Sequence, residues 1–407
     1  MDENIKRKIE LSNKIYPYFA GLTEDLMFWA AINTLFLTTV KNLTASQISL
    51  LSAVAVFSSI ILQGVVFKII KRIGNIFSVR LGLVLFLMAA TAITFSNDIF
   101  LIATGEILYH LAFFFTSMGN VILKRNLKAV NKEENFHKIC SKSNFIYATV
   151  TMIISFVVGF IFNINKYLPM ILCITVCVLN IFLSGFIYEY KYKDDESVKP
   201  ERKVNWKKIL ILIIVAYGLL YATLETVQEN GKIFIQYYFE DFLEINKATI
   251  CLTVIIAFSR ILRVLSNLLF NKMYSKLKNK LIVLLNFLLL SALVLTVVGN
   301  IVSNGMQGGI IMGAGFCILL FVRDPIMIFS KTELLNNCDT KDQERVLHKF
   351  NLFRKIVAGV LALSVSALLL KVKMIIVMLL FGALTALYFV LTFNLSSVLA
   401  KKAIGND

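Results

Sequence analysis

Leu281–Gly299 reads LIVLLNFLLLSALVLTVVG, nineteen residues without a charge. As a helix it would rise about 28 Å, close to the apolar thickness of a bilayer, roughly 30 Å. Its apolar residues neither alternate nor keep to one helical face, so the stretch reads as a membrane-spanning helix rather than a strand or an amphipathic surface helix. Comparable runs lie at 15–40, 46–69, 77–96, 99–123, 143–163, 167–188, 208–238, 248–270, 304–330, 350–370 and 373–396. With the run at 280–299 they make twelve spans. The composition agrees: 58% of the 407 residues are hydrophobic, only 16% are charged, and the mean hydropathy is +0.76. A soluble chain of this length carries roughly a quarter charged residues. Four prolines and unbroken aliphatic blocks favour helices over barrel strands. The expected fold is an all-α polytopic membrane protein of twelve transmembrane helices in two six-helix bundles.

The N-terminal Met1–Lys14 is polar and charged, and the apolar run after it is too long for a cleavable signal peptide. The six cysteines are scattered, so no disulfide framework is implied. Cys173 and Cys177 sit four apart but have no His or carboxylate within several residues, and packing explains them better than metal binding. No cofactor motif is present: the phosphate-binding G-x-x-x-x-G-K-[ST] pattern does not occur.

A net charge of +17 first points to nucleic acid, but its distribution excludes that reading. The N-terminus and every second connection hold 33 of the 42 Lys and Arg, and the alternate connections hold five: Lys41, Lys166, Lys247, Lys371 and Lys373. This asymmetry follows the positive-inside rule for a multi-pass protein of the inner, cytoplasmic membrane with both termini cytoplasmic. The charge is an orientation signal, and the partner it implies is the lipid bilayer.

The longest polar interruption separates six spans from six. It defines an N-terminal bundle at 1–190, a cytoplasmic linker at 191–207 and a C-terminal bundle at 208–407. Faint repetition crosses it. Span 1 is followed by Leu43–Ile48 (LTASQI) and span 7 by Ile245–Ile250 (INKATI), with Glu24–Asp25 and Glu225 about 20 residues earlier in each. Span 4 is followed by Glu133–Lys138 (EENFHK) and span 10 by Glu344–Lys349 (ERVLHK). Duplicated halves of this kind characterise secondary transporters that rock about a site between the halves.

On these features the chain resembles the major facilitator superfamily over essentially its whole length. The family's motif between spans 2 and 3 is similar to G-x-x-x-D-R-x-G-R-R, and the matching stretch is Phe67–Ile76 (FKIIKRIGNI). Arg72 and Gly74 match, and the resemblance implies a gating role for them. Phe67 and Lys71 replace the motif's Gly and Asp, and Asn75 and Ile76 replace its last two arginines. Span 5 keeps only Gly159 of the G-x-x-x-G-P-x-x-G-G pattern of drug–proton antiporters. The resemblance further implies that spans 1, 4, 7 and 10 line a central cavity.

Charged residues inside the spans carry the chemistry, because each costs about 2.5–3.5 kcal/mol at a helix centre and must face the bundle interior or water. Glu24 and Asp25 lie in span 1, Glu106 and His110 in span 4, and Glu225, Glu229 and Lys232 in span 7. Arg260 and Arg263 lie in span 8, Arg323 and Asp324 in span 10. Helical spacing aligns Glu106, His110, Phe113, Ser117 and Asn120 on one face, and Tyr217, Tyr221, Glu225, Gln228 and Lys232 on another. Glu225, Glu24, Asp25, Glu106 and His110 are the candidate proton-coupling groups; structural pairing or capping is the competing reading for each. Arg260 and Arg263, with Tyr217, Tyr221, Gln228, Asn120 and Phe113, are candidates for binding substrate. The arginines either hold an anionic group or neutralise span-7 acids. Arg323 and Asp324 fit a gate pair or kink beside Pro325. Glu229 and Lys232 fit an ordinary ion pair, Asn230–Gly231 a break in span 7, and the glycines at 305, 308, 309, 313 and 315 close packing of span 10.

The function expected is transport, not catalysis. A proton-coupled secondary active transporter would move a small polar or charged organic solute by alternating access, with Na⁺ as the other possible ion. A monomer suffices for this. An exporter of amphiphilic, drug-like or lipid-like compounds is the alternative, favoured by the aromatic residues. An intramembrane enzyme built on Glu106 and His110, or a sensor that binds without transporting, are remote alternatives.

Overall fold

The computed structural model describes residues 3–132, 135–190, 208–277, 280–302, 305–337 and 343–404. The linker at 191–207 and the repeat residues Glu133 and Glu134 lie outside this set. Fourteen α-helices account for nearly all described residues, and no strand occurs among them. Their ranges are α1 Glu3–Thr23, α2 Met27–Thr39, α3 Ala45–Ile73, α4 Asn75–Phe95, α5 Ile99–Thr116, α6 Met118–Ala129 and α7 Phe136–Ile164. They continue with α8 Leu168–Leu183, α9 Lys208–Glu240, α10 Ile245–Leu277, α11 Leu281–Val302, α12 Met306–Asn336, α13 Gln343–Leu369 and α14 Met374–Ile404. Among the described residues, eleven segments are long and apolar enough to cross a membrane uninterrupted, counting α5 and α6 as one.

The twelfth span is the first, and it is not one helix. The run at 15–40 divides into α1 and α2 at Glu24–Leu26. Unwound backbone within an apolar layer needs partners for its polar groups, and the break has them. The Asp25 carboxylate accepts from the Leu26 N–H at 2.7 Å, and Thr23 Oγ1 donates back to the Phe19 carbonyl at 2.9 Å. The Asn180 amide of α8 donates to the Leu22 carbonyl at 2.9 Å. In span 4, α5 passes into α6 at Ser117, whose hydroxyl donates to the Phe114 carbonyl at 2.7 Å. Span 7 differs from expectation in the other direction. α9 runs unbroken through Asn230–Gly231, because the Asn230 amide folds back onto the Thr226 carbonyl of its own helix at 2.8 Å.

Contacts divide the chain into two compact units: Met1–Asn33 with Val54–Glu201, and Thr34–Ala53 with Arg202–Asp407. Within the first, α4 packs along α5, α1 along α7, and α4 against α8. Within the second, α11 packs along α12, α9 along α13, and α11 against α14. In span numbers these are 3–4, 1–5 and 3–6 in one unit, and 9–10, 7–11 and 9–12 in the other. These three pairings thus recur in both units, and the second adds close packing of α10 along α12. The tightest pairs close over glycine: a methyl group at Gly82 would lie 2.9 Å from Phe115 of α5, and one at Gly315 only 2.6 Å from the Ala292 carbonyl of α11.

Large apolar side chains face outward along the spans, Phe100, Ile164 and Leu268 among them. In water such a surface would aggregate; in hydrocarbon it is the compatible face. α9 is enclosed instead, with 72% of its most apolar stretch buried against 22–50% for the other spans. It is the core helix of the second unit.

Candidate functional site

In the first unit the break brings a carboxylate to the middle of span 1. Asp25 accepts from the Tyr109 hydroxyl of α5 at 2.5 Å and from the Tyr147 hydroxyl of α7 at 3.3 Å, besides the Leu26 N–H. Three donors therefore solvate its charge. Tyr109 stands among the rings of Phe86 and Phe113, with centroids 5.8 and 5.0 Å away, and His110 lies edge-on to it at 5.5 Å. Glu106, one turn before His110, is buried within electrostatic reach of Tyr109. Four of the predicted residues, Asp25, Glu106, His110 and Phe113, thus gather around one tyrosine.

Glu24 diverges from its neighbour. It is exposed, and its charge is felt at Cys140, whose thiol is pushed above its ordinary range by burial and then by that carboxylate. Asn120 also lies on this side, accepting from the Tyr16 hydroxyl at 3.1 Å. The motif residues sit at the end of the unit. Gly74 joins α3 to α4 with φ +82°, a left-handed conformation that explains its presence, and Arg72 is exposed. The contact made here centres on Glu189, which the sequence reading did not single out. Its buried carboxylate accepts from the Asn75 amide at 2.6 Å and the Ile76 N–H at 3.1 Å, and pairs with Arg125 of α6 at 3.0 Å. Asn75, standing at an arginine position of the motif, therefore supplies a neutral donor.

In the second unit the α9 face carries Tyr217, Tyr221, Glu225 and Gln228. Glu225 faces Arg354 of α13 across 3.7 Å, and the Arg354 guanidinium lies 4.9 Å over the Tyr221 ring. Arg354 was hidden by its place in the sequence, at the start of the span at 350–370, where it counts with the basic residues before it as an orientation signal. The available signal was Glu225 itself, a mid-span acid with no cation one turn away. Lys331 of α12 and Lys355 of α13 add positive charge close to Arg354. Three polar atoms on this face are buried without a hydrogen-bond partner in the protein: Tyr217 Oη, Gln228 Oε1 and Arg354 Nε.

Arg263 of α10 does not reach the α9 acids. It pairs with Asp324 of α12 at 2.7 Å, and the Asn267 amide donates to the same carboxylate oxygen at 2.8 Å. Arg260 and Arg323 are half-buried on α10 and α12. Lys232 and Glu229 form the short-range pair that their spacing predicts, at 3.0 Å. Among the described residues no group of three or more His, Cys, Asp and Glu side chains could hold a metal ion.

No family model and no curated protein sequence matches the chain. Solved structures do. The nucleoside transporter NupG superposes with a TM-score of 0.74 at 11% identity, over 95% of this chain and 98% of that one. A substituted form of NupG gives 0.75 at 10% identity, over 96% and 99%. A bacterial homologue of the iron transporter ferroportin, captured in an inward-facing state, gives 0.64 at 13% identity, over 98% and 100%. At such identities the likeness is one of fold: the chain is a multi-pass, all-helical membrane protein that shares the fold of these structures.

Proposed function

We propose that the protein is a secondary active transporter that moves a small polar or charged organic solute by alternating access, coupled to protons. The observation that carries this reading is the α9 face. A folded protein satisfies its buried polar groups, yet Tyr217, Gln228 and Arg354 each leave a buried atom without a protein partner. They stand beside a carboxylate–guanidinium pair in the core helix of a transporter-type fold. A solute bearing donors, acceptors and an anionic group would complete those atoms. Protonation of Glu225 would release Arg354 to hold the anion. Span charge asymmetry supports an inner-membrane orientation with both termini cytoplasmic, and one chain contains both units that alternating access requires.

The test is flux in liposomes. Purified protein is first screened for solutes that raise its thermal stability, since specific binding stabilises by mass action; nucleosides and organic anions head the panel. Hits are then offered radiolabelled to proteoliposomes with and without an imposed pH gradient. The reading predicts uptake or exchange driven by the gradient, and Glu225→Gln should transport without moving protons. Absence of both flux and exchange for every stabilising solute would overturn it.

A further inference from the structure

We infer that the break in the first span holds one sodium ion, bound by Asp25, Thr23 and Asn180. This inference rests on the transport reading for its purpose, as a site for a coupling ion, but not for its geometry. A small cavity opens at the break, lined on its polar side by Thr23, Asp25 and Asn180 and elsewhere by side chains such as Leu83, Phe86 and Val176. It has room for one water or one small ion.

The polar groups around it have had their protons assigned elsewhere. The Asn180 amide nitrogen donates to the Leu22 carbonyl, an atom that can only accept, so the orientation of the amide is fixed. Its Oδ1 is left buried without a hydrogen-bond partner. Thr23 Oγ1 gives its proton to the Phe19 carbonyl and keeps its lone pairs. Asp25 is a carboxylate that already accepts from Tyr109, Tyr147 and Leu26. On its polar side the cavity therefore presents oxygen acceptors, and it sits between the end of α1 and the start of α2, whose opposite poles offset each other there. Such a setting calls for a cation. Unwound backbone and half-helix ends carry coupling ions in other membrane transport folds.

Charge and ligand chemistry select the ion. One carboxylate with neutral oxygens balances one positive charge, whereas calcium and magnesium sites use several carboxylates or retained waters. Cys173 and Cys177 also line the cavity, but soft transition metals need three or more strong ligands, a grouping not found among the described residues. Sodium also suits the volume.

The experiment needs no solute and no gradient. Protein purified in detergent is melted in NaCl, KCl, MnCl2 or choline chloride at constant ionic strength and fixed pH. NaCl alone should raise the melting temperature saturably, by about 3 °C at a hundredfold excess over the half-saturating concentration. Asp25→Asn should abolish the response. Thr23→Val, which keeps the shape and loses one oxygen, should shift half-saturation about fivefold upward and covers the case in which Asp25→Asn does not fold. An equal rise in choline chloride or KCl, a rise with MnCl2 alone, or an unchanged sodium response in the variants would overturn the assignment. Flux in liposomes without any sodium response overturns this inference alone. A sodium response without flux overturns the transport reading alone.

Discussion

Removing Arg354 takes from Glu225 its ion-pair partner inside the second unit, and the cost can be worked from the geometry. At 3.7 Å, two unit charges in an effective dielectric of about 20 attract by about 4.5 kcal/mol. Breaking a fully buried pair costs about 3–5 kcal/mol, mostly as the penalty on the charge left behind. The Glu225 side chain is 30% exposed, so part of that penalty is screened, and Arg354→Met should destabilise by about 2 kcal/mol. Glu225→Gln leaves Arg354 on the Tyr221 ring and should cost about 1 kcal/mol, in line with a retained cation–π contact. The double variant should then be less destabilised than the sum by about 1–1.5 kcal/mol, the coupling expected of residues in contact. The assay is equilibrium unfolding in SDS–detergent mixtures for the four proteins of the cycle. Strictly additive losses, or an Arg354→Met protein as stable as the parent, would show that the two side chains do not meet and would remove the basis of the α9 site.

Other predictions address the rest of the fold. Glu189→Gln should cost about 1.5–3 kcal/mol, the worth of hydrogen bonds to a charged group; limited proteolysis should then cut the α3–α4 turn faster, and an unchanged rate would refute the anchoring role. Gly315→Val should destabilise by about 1–3 kcal/mol or more through overpacking against α11. Gly382→Val, where a side chain meets nothing within 4 Å, should stay within about 0.5 kcal/mol, and equal effects would contradict the packing. In a variant retaining Cys140 as its single cysteine, maleimide labelling below pH 9 should be slower than that of a free thiol, because less of it is thiolate when burial and Glu24 raise its pKa. Glu24→Gln should speed labelling and move the profile toward lower pH; no change would separate the two groups.

The number and place of the spans were legible in the sequence because hydrocarbon thickness sets their length and composition alone marks them. Periodicity also placed Tyr217, Tyr221, Glu225 and Gln228 on one face, since a straight helix preserves that register. The break at Glu24–Leu26 was not legible. Its acids were visible, but unwinding depends on the Asn180 amide, which lies 158 residues from the Leu22 carbonyl it satisfies. Arg354 and Glu189 escaped for a related reason. Each lies at the end of an apolar run, where a charge counts toward orientation unless its distant partner is known. Tyr109 and Tyr147 were not singled out, because their acceptor, Asp25, lies 84 and 122 residues away in the chain. The Asn230–Gly231 expectation failed because a local amide–carbonyl bond offset the weak helix propensity of the pair.

The assignment of Thr34–Ala53 to the second unit has a consequence for biogenesis. Ser46 bonds to Ser366, and Ser49 to Asn230, within that unit. At about 5–20 residues per second, the ribosome needs roughly 16–60 s to travel the 320 residues from Ser46 to Ser366. The hairpin of spans 1 and 2 must therefore leave the translocon and wait in lipid for partners that do not yet exist. Hydroxyl side chains suit that wait, because each can turn back to a carbonyl of its own helix, as Thr38 does to Thr34 at 2.9 Å. A charged residue at Ser46 or Ser49 would have no such refuge, and would act on insertion of the nascent chain before it could act on the finished protein.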